Sequence, residues 1–247
     1  GAMYSYPPLR VHLPLMLPFL GLWIYQRKKF SFAACISFAA SLGILIFPLI
    51  MKTLNGQVQQ RFNLISIFSE GYLRALHKKA CFKDLFELFS TNYAQHFTPN
   101  FLFFSGDPNY VHSTRHTGIL SGLDIAALIL ALVFLGLFLF RKFRMHHPFK
   151  EDGAFLFFVI CNILISVIPA ALTWSELPNS LRIIGGWPFV CLFTAYIFEQ
   201  VIKRFWAGWI VFVLMAVLWS TVFFKGYFEV FPNESKGMFA YWTLDEA

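Results

Sequence analysis

Charge is scarce in this chain: Asp, Glu, Lys and Arg together make up 13% of 247 residues, against 57% hydrophobic residues and 32 phenylalanines. A soluble globular domain carries about a quarter charged residues, so that class is excluded and an all-α integral membrane protein is indicated. Cysteine is sparse as well. Of the four, Cys35, Cys161 and Cys191 fall within apolar runs and only Cys81 lies in a polar segment, so no disulfide framework is implied. There is no internal repeat and no low-complexity segment beyond the apolar bias. No basic n-region and small-residue cleavage site bracket the first apolar run, so no clear signal peptide is present. The net charge of +7 resides largely in clusters just beyond the ends of apolar runs, which marks topology. With no soluble module carrying a basic face and a nucleic-acid-binding motif, no nucleic-acid partner is expected.

What is present in quantity is long apolar sequence. A bilayer core takes about 20 largely apolar residues per helix, and runs at residues 9–25, 30–51, 119–140, 154–173, 181–202 and 206–224 meet or approach that length. The first contains Pro14 and Pro18 and reads as an irregular helix. Three basic clusters, at 27–29, 141–150 and 203–204, fall on one face when six spans alternate, and the positive-inside rule makes that face cytoplasmic. Both chain ends and the region 52–118 are then extracytoplasmic. Trp174, Trp187, Trp206 and Trp242 fit interfacial positions.

Within the region 52–118, Phe82, Leu85, Phe86, Phe89 and Tyr93 recur at helical spacing, with Lys83, Asp84 and Glu87 on other faces. Ile65, Phe68, Tyr72 and Leu76 make a similar stripe upstream. The expectation is two amphipathic helices, either lying at the membrane surface or packed on the protein's own outer face.

Polar chemistry concentrates in NYAQHFTPNFLFFSGDPNYVHSTRHTG, residues 92–118, which holds His96, His112 and His116 beside Asp107, Asn109 and Arg115. Phe97, Pro99, Phe101, Leu102, Phe103 and Phe104 read as an apolar anchor, and Gly106-Asp107-Pro108-Asn109 as a tight turn. A turn there holds Asp107 and Asn109 near His112, Arg115 and His116. Such a cluster suits an anionic lipid head group, because Arg offers paired donors to phosphate and His donates or accepts near neutral pH. The plainer alternative is that Asp107 and Asn109 only fix the turn while the histidines stay solvated. Residue type allows Asp107, His112 and His116 to hold a divalent metal, but the spacing is no recognised ligand pattern, and no cofactor is expected. Elsewhere, Arg182 lies close to Gly185-Gly186, where a backbone can approach a ligand. Arg10 and His12 sit near the outer end of the first span, within reach of snorkelling.

These residues resemble a known family, the polytopic family 39 glycosyltransferases, which include bacterial relatives of protein O-mannosyltransferases and of the lipid A aminoarabinose transferase. The likeness is clearest in HFTPNFLFFSGDPNYVHS, residues 96–113, and weaker in GAMYSYPPLRVHLPL, residues 1–15, and LPNSLRIIGGWPF, residues 177–189. The three segments follow the family's order and are spread over most of the chain. Val111 and Arg115 depart from the pattern, which often has a basic residue before the histidine and a small residue at the second position.

The resemblance implies a GT-C-like fold in a bacterial cytoplasmic membrane with its active side extracytoplasmic. It also implies transfer of a sugar from a polyprenyl-phosphate donor to a lipid or protein acceptor, amid membrane lipids. The expected substrate-binding residues are Arg10, His96, Asp107, Asn109, His112, Arg115, His116 and Arg182. It favours Gly1-Ala2-Met3 as native sequence over a tag remnant. The family places its catalytic acidic residue in a first extracytoplasmic loop, and no such loop precedes Tyr4. The chain is therefore expected to be the C-terminal part, residues 1–247, of a longer enzyme, with no catalytic base assigned. The competing class is a transporter or a non-catalytic multi-pass subunit. Its acidic candidates, Asp124 and Glu199, lie nearer the ends of their spans than the midplane that transport sites favour.

Overall fold

The computed structural model describes residues 8–26, 64–76, 81–109, 112–140 and 153–233, with scattered positions between 36 and 51. The expected span at 30–51 therefore lies outside the described residues. Those described are helical, with one isolated bridge and no strand. Three helical stretches are long and apolar enough to cross a membrane, Gly153–Ala171, Leu181–Arg204 and Gly208–Asn233, which fits a membrane protein. Leu9–Tyr25 and Gly122–Gly136 are shorter apolar helices.

The chain divides into two compact units. The first comprises Gly1–Gln95, Glu151–Leu177 and Arg182–Trp187. In it α1 (Leu9–Gln26) stays helical through Pro14 and Pro18. It packs along α5 (Gly153–Ile165), numbered after α2 (Glu70–Ala75), α3 (Phe82–Gln95) and α4 (Gly122–Phe140). The contact is aromatic: Trp23 stacks on Phe158 at 5.5 Å between ring centroids, and Phe19 meets Phe157 at 6.0 Å. Ser166 and Val167 interrupt the helix beyond α5, and α6 (Ile168–Ala171) restarts it with Pro169 in its first turn, where the missing N–H costs nothing.

The amphipathic segments behave differently from each other. α3 forms, but its buried face is centred on Leu88 and Asn92, while Phe82 and Phe86 stack on each other in the open. The reason is Asn92, whose amide donates to the carbonyls of Ala171 (3.2 Å) and Thr173 (2.8 Å) and turns the helix toward the end of α6. Upstream, among the described residues, the expected stripe is broken at 66–69 before α2 begins, because Ser66 pairs with Thr173 in an antiparallel bridge. Ile67 donates to Leu172 (3.0 Å) and Trp174 to Ile65 (2.9 Å), so this backbone cannot also close helical bonds. Ile67, Leu73 and Leu88 form the small core beneath, covered by Tyr72, Leu85, Phe89 and Leu172.

The second unit comprises His96–Lys150, Pro178–Leu181 and Pro188–Ala247. α4 opens on a reciprocal cap: the Ser121 N–H and hydroxyl donate to Asp124 Oδ2 (2.9 and 2.6 Å), and the Asp124 N–H donates to Ser121 Oγ (3.2 Å). Asp124 Oδ1 also accepts from Thr194 on α7 (Trp187–Arg204). α8 (Gly208–Lys225) packs on α4, and Trp219 lies so close to Gly122 that a side chain there would collide with its ring.

Candidate functional site

The polar stretch folds into a closed loop because its two arms share backbone bonds. Beyond a wide helical turn at Asn100–Phe104, Ile119 donates to Phe101 (3.1 Å) and Leu120 to Leu102 (3.0 Å). Gly118 is pressed onto the Leu102 and Phe103 backbone, where any Cβ would overlap main-chain atoms. Of the expected apolar anchor only Phe101 is fully buried; Phe97 and Phe104 are exposed. Gly106 takes φ +68°, which a side chain opposes, and a Cβ there would also meet Ser113 Oγ at 2.9 Å.

At the centre of the loop Asp107 is 0% exposed, and its carboxylate accepts three hydrogen bonds from nearby donors. Oδ1 accepts the Asn109 N–H (2.8 Å), forming the expected turn. Oδ2 accepts the Ser180 N–H (2.7 Å) and hydroxyl (3.0 Å), 73 residues away at the exit of the polar hairpin, residues 174–179, that follows α6. His112 Nδ1 stands 3.4 Å from Oδ2 and also 3.4 Å from the Asn179 side-chain nitrogen. His96 is 1% exposed, packs edge-on to Phe101, and accepts the Asn179 N–H on Nε2 at 3.1 Å. An accepting ring nitrogen carries no proton, so in this arrangement the ring proton of His96 is on Nδ1. Four of the expected residues, His96, Asp107, Asn109 and His112, thus come together. Of these, Asp107 and His96 are enclosed, whereas the His112 side chain keeps 15% of its surface open.

Arg115 and His116 are exposed on the following turn, where their N–H groups donate to Ser113 Oγ (3.0 Å) and Thr114 Oγ1 (3.5 Å). Arg115 has φ +58°, a left-handed conformation that accounts for a small residue being the easier choice there. Among the described residues no three His, Cys, Asp or Glu side chains gather as a metal-holding group, and Asp107, His112 and His116 do not form one.

Arg182 belongs to the first unit and is engaged with its own hairpin. Nη1 donates to Thr173 Oγ1 (2.7 Å) and to the Ser175 carbonyl, Nη2 donates to Ser175 Oγ (3.0 Å), and Glu176 lies 4.0 Å away. Arg10, on the first turn of α1, is partly buried. Gly185 and Gly186 approach protein groups: a Cβ on Gly185 would strike the buried His12 ring, and one on Gly186 would strike Ser166 Oγ. The acidic groups a transport path would need are held locally, Asp124 in its cap and against Thr194, and Glu199 at 2.7 Å from Lys203.

Asn179 and Ser180 were given no role by sequence reasoning. They lie in LPNSLRIIGGWPF, but nothing in spacing links them to a carboxylate 73 residues earlier. Asn92 was likewise missed, since a lone Asn on an amphipathic helix reads as a solvated position. No family model, curated protein or solved structure matches this chain.

Proposed function

We propose that this chain forms part of a polytopic, six-span, GT-C-like membrane glycosyltransferase. It would transfer a sugar from a polyprenyl-phosphate donor to a lipid or protein acceptor on the extracytoplasmic side. The supporting observation is that two of the segments carrying the family resemblance each contact the third, residues 177–189. Asp107, in HFTPNFLFFSGDPNYVHS, accepts two bonds from Ser180 in LPNSLRIIGGWPF. His12, in GAMYSYPPLRVHLPL, lies against Gly185 of that same hairpin segment. His112, with its partly open ring above a buried carboxylate, is the group best placed to meet the donor.

The test is sugar transfer by the full-length protein in proteoliposomes supplied with a polyprenyl-phosphate hexose. His112→Ala and Arg182→Ala are each expected to abolish or sharply reduce turnover. Unchanged turnover in both variants overturns the proposal.

A further inference from the structure

Building on that reading, we infer that His112 presents a bare acceptor nitrogen, Nε2, to a hydroxyl of the donor's sugar, and that Asp107 is the positioning residue that sets the ring. The Nδ1 edge faces two groups at the same 3.4 Å, Asp107 Oδ2 and the Asn179 side-chain nitrogen. A carboxylate can only accept, and its negative charge this close to Nδ1 favours the tautomer that turns an N–H toward it. The Asn179 amide can take either role, because turning it over exchanges oxygen for nitrogen. The inferred tautomer therefore carries its proton on Nδ1. The carboxylate oxygens have room: three donors reach Asp107, and a carboxylate offers about four acceptor positions.

With its proton on Nδ1, the neutral ring has a lone pair on Nε2. Asp107 is 0% exposed and the His112 side chain keeps 15% of its surface open, and with Nδ1 facing the enclosed carboxylate the inference assigns that opening to the Nε2 edge. A phosphodiester oxygen has no proton to give such a nitrogen. A sugar hydroxyl has one. His96 does not compete for this task, because it is enclosed and its Nε2 is occupied by the Asn179 N–H.

Two measurements on the full-length protein test this. The first is nitrogen NMR of histidine-labelled protein in mildly alkaline buffer, with the His112 signal assigned from its loss in His112→Gln. The expected pattern is a neutral ring protonated on Nδ1, which moves toward Nε2 protonation in Asp107→Asn; a wild-type ring protonated on Nε2 overturns the inference. The second compares binding of a polyprenyl-phosphate hexose with that of the bare polyprenyl phosphate. His112→Ala is expected to weaken the hexose-bearing carrier about tenfold, the worth of one hydrogen bond, and to leave the bare carrier unchanged. Equal weakening of both places His112 on the phosphate and overturns the inference while leaving the glycosyltransferase proposal standing. If the unaltered protein binds neither carrier, both fall. Should Asp107→Asn fail to fold, the wild-type tautomer and the His112→Ala comparison still decide.

Discussion

The side-chain amide of Asn92 donates to the Thr173 carbonyl at 2.8 Å and to Ala171 at 3.2 Å, closing the end of a helix 79 residues further along the chain. The last carbonyls of a helix have no partner within it, and in a low-dielectric setting each must find one. Asn92→Leu keeps the branched shape and the number of side-chain heavy atoms but strands both acceptors. The expected loss is about 1–3 kcal/mol in a denaturant or thermal unfolding measurement, the cost of leaving buried polar groups unsatisfied. A variant as stable as the unaltered protein would show that the amide is dispensable.

That contact also shows what periodicity can and cannot carry. The apolar runs near 154–173, 181–202 and 206–224 were legible because a span depends on length and composition alone, and helices are found there. α3 was legible as a helix, and of its expected stripe Leu85, Phe89 and Tyr93 do turn inward. Phe82 and Phe86 do not, and the distant carbonyls of Ala171 and Thr173 bring Asn92, with Leu88, to the middle of the buried face instead. The Asp107 turn could be read locally, since the Asn109 N–H it binds is two residues away. Its bond to Ser180 could not, because nothing in either neighbourhood names the other.

Gly186 next to Ser166 tests whether the glycine pair serves packing. A Cβ at Gly186 would meet Ser166 Cβ at 2.9 Å and its hydroxyl closer still. Gly186→Ala is expected to destabilise the protein by about 1–3 kcal/mol, as overpacking does. Adding Ser166→Gly removes both colliding atoms and should return part of that loss, although it forfeits the Ser166 hydroxyl's bond to Ile163 (2.7 Å). A double variant whose loss equals the sum of the Gly186→Ala and Ser166→Gly losses would show that the two positions are uncoupled.

Tyr93 gives the fold an alkaline limit. Its hydroxyl donates to the Leu164 carbonyl at 3.1 Å, and burial pushes the phenol above its ordinary value near 10. A phenol whose folded value is raised stabilises the fold fully below the unfolded value, and this contribution is lost as pH rises through the folded one. Stability should therefore fall above about pH 10. Unfolding curves of Tyr93→Phe against the unaltered protein check this: the variant starts lower by the missing hydrogen bond and shows a shallower alkaline decline.

Arg182 decides between a staple and a ligand. Its guanidinium spans Thr173 Oγ1, the Ser175 carbonyl and Ser175 Oγ, and it holds a hairpin in which Glu176 sits at the unfavourable φ of +52°. Removing these bonds by Arg182→Ala should cost about 1.5–3 kcal/mol, as hydrogen bonds to a charged group do. Arg182→Lys should recover little, because one ammonium cannot serve three acceptors arranged for a planar fork. The loss of transfer is then expected to follow the loss of folded protein, with KM for the polyprenyl-phosphate donor unchanged in the fraction that remains folded. A raised KM at undiminished stability would instead put the guanidinium on the donor's phosphate, and the hairpin would owe its shape to other bonds.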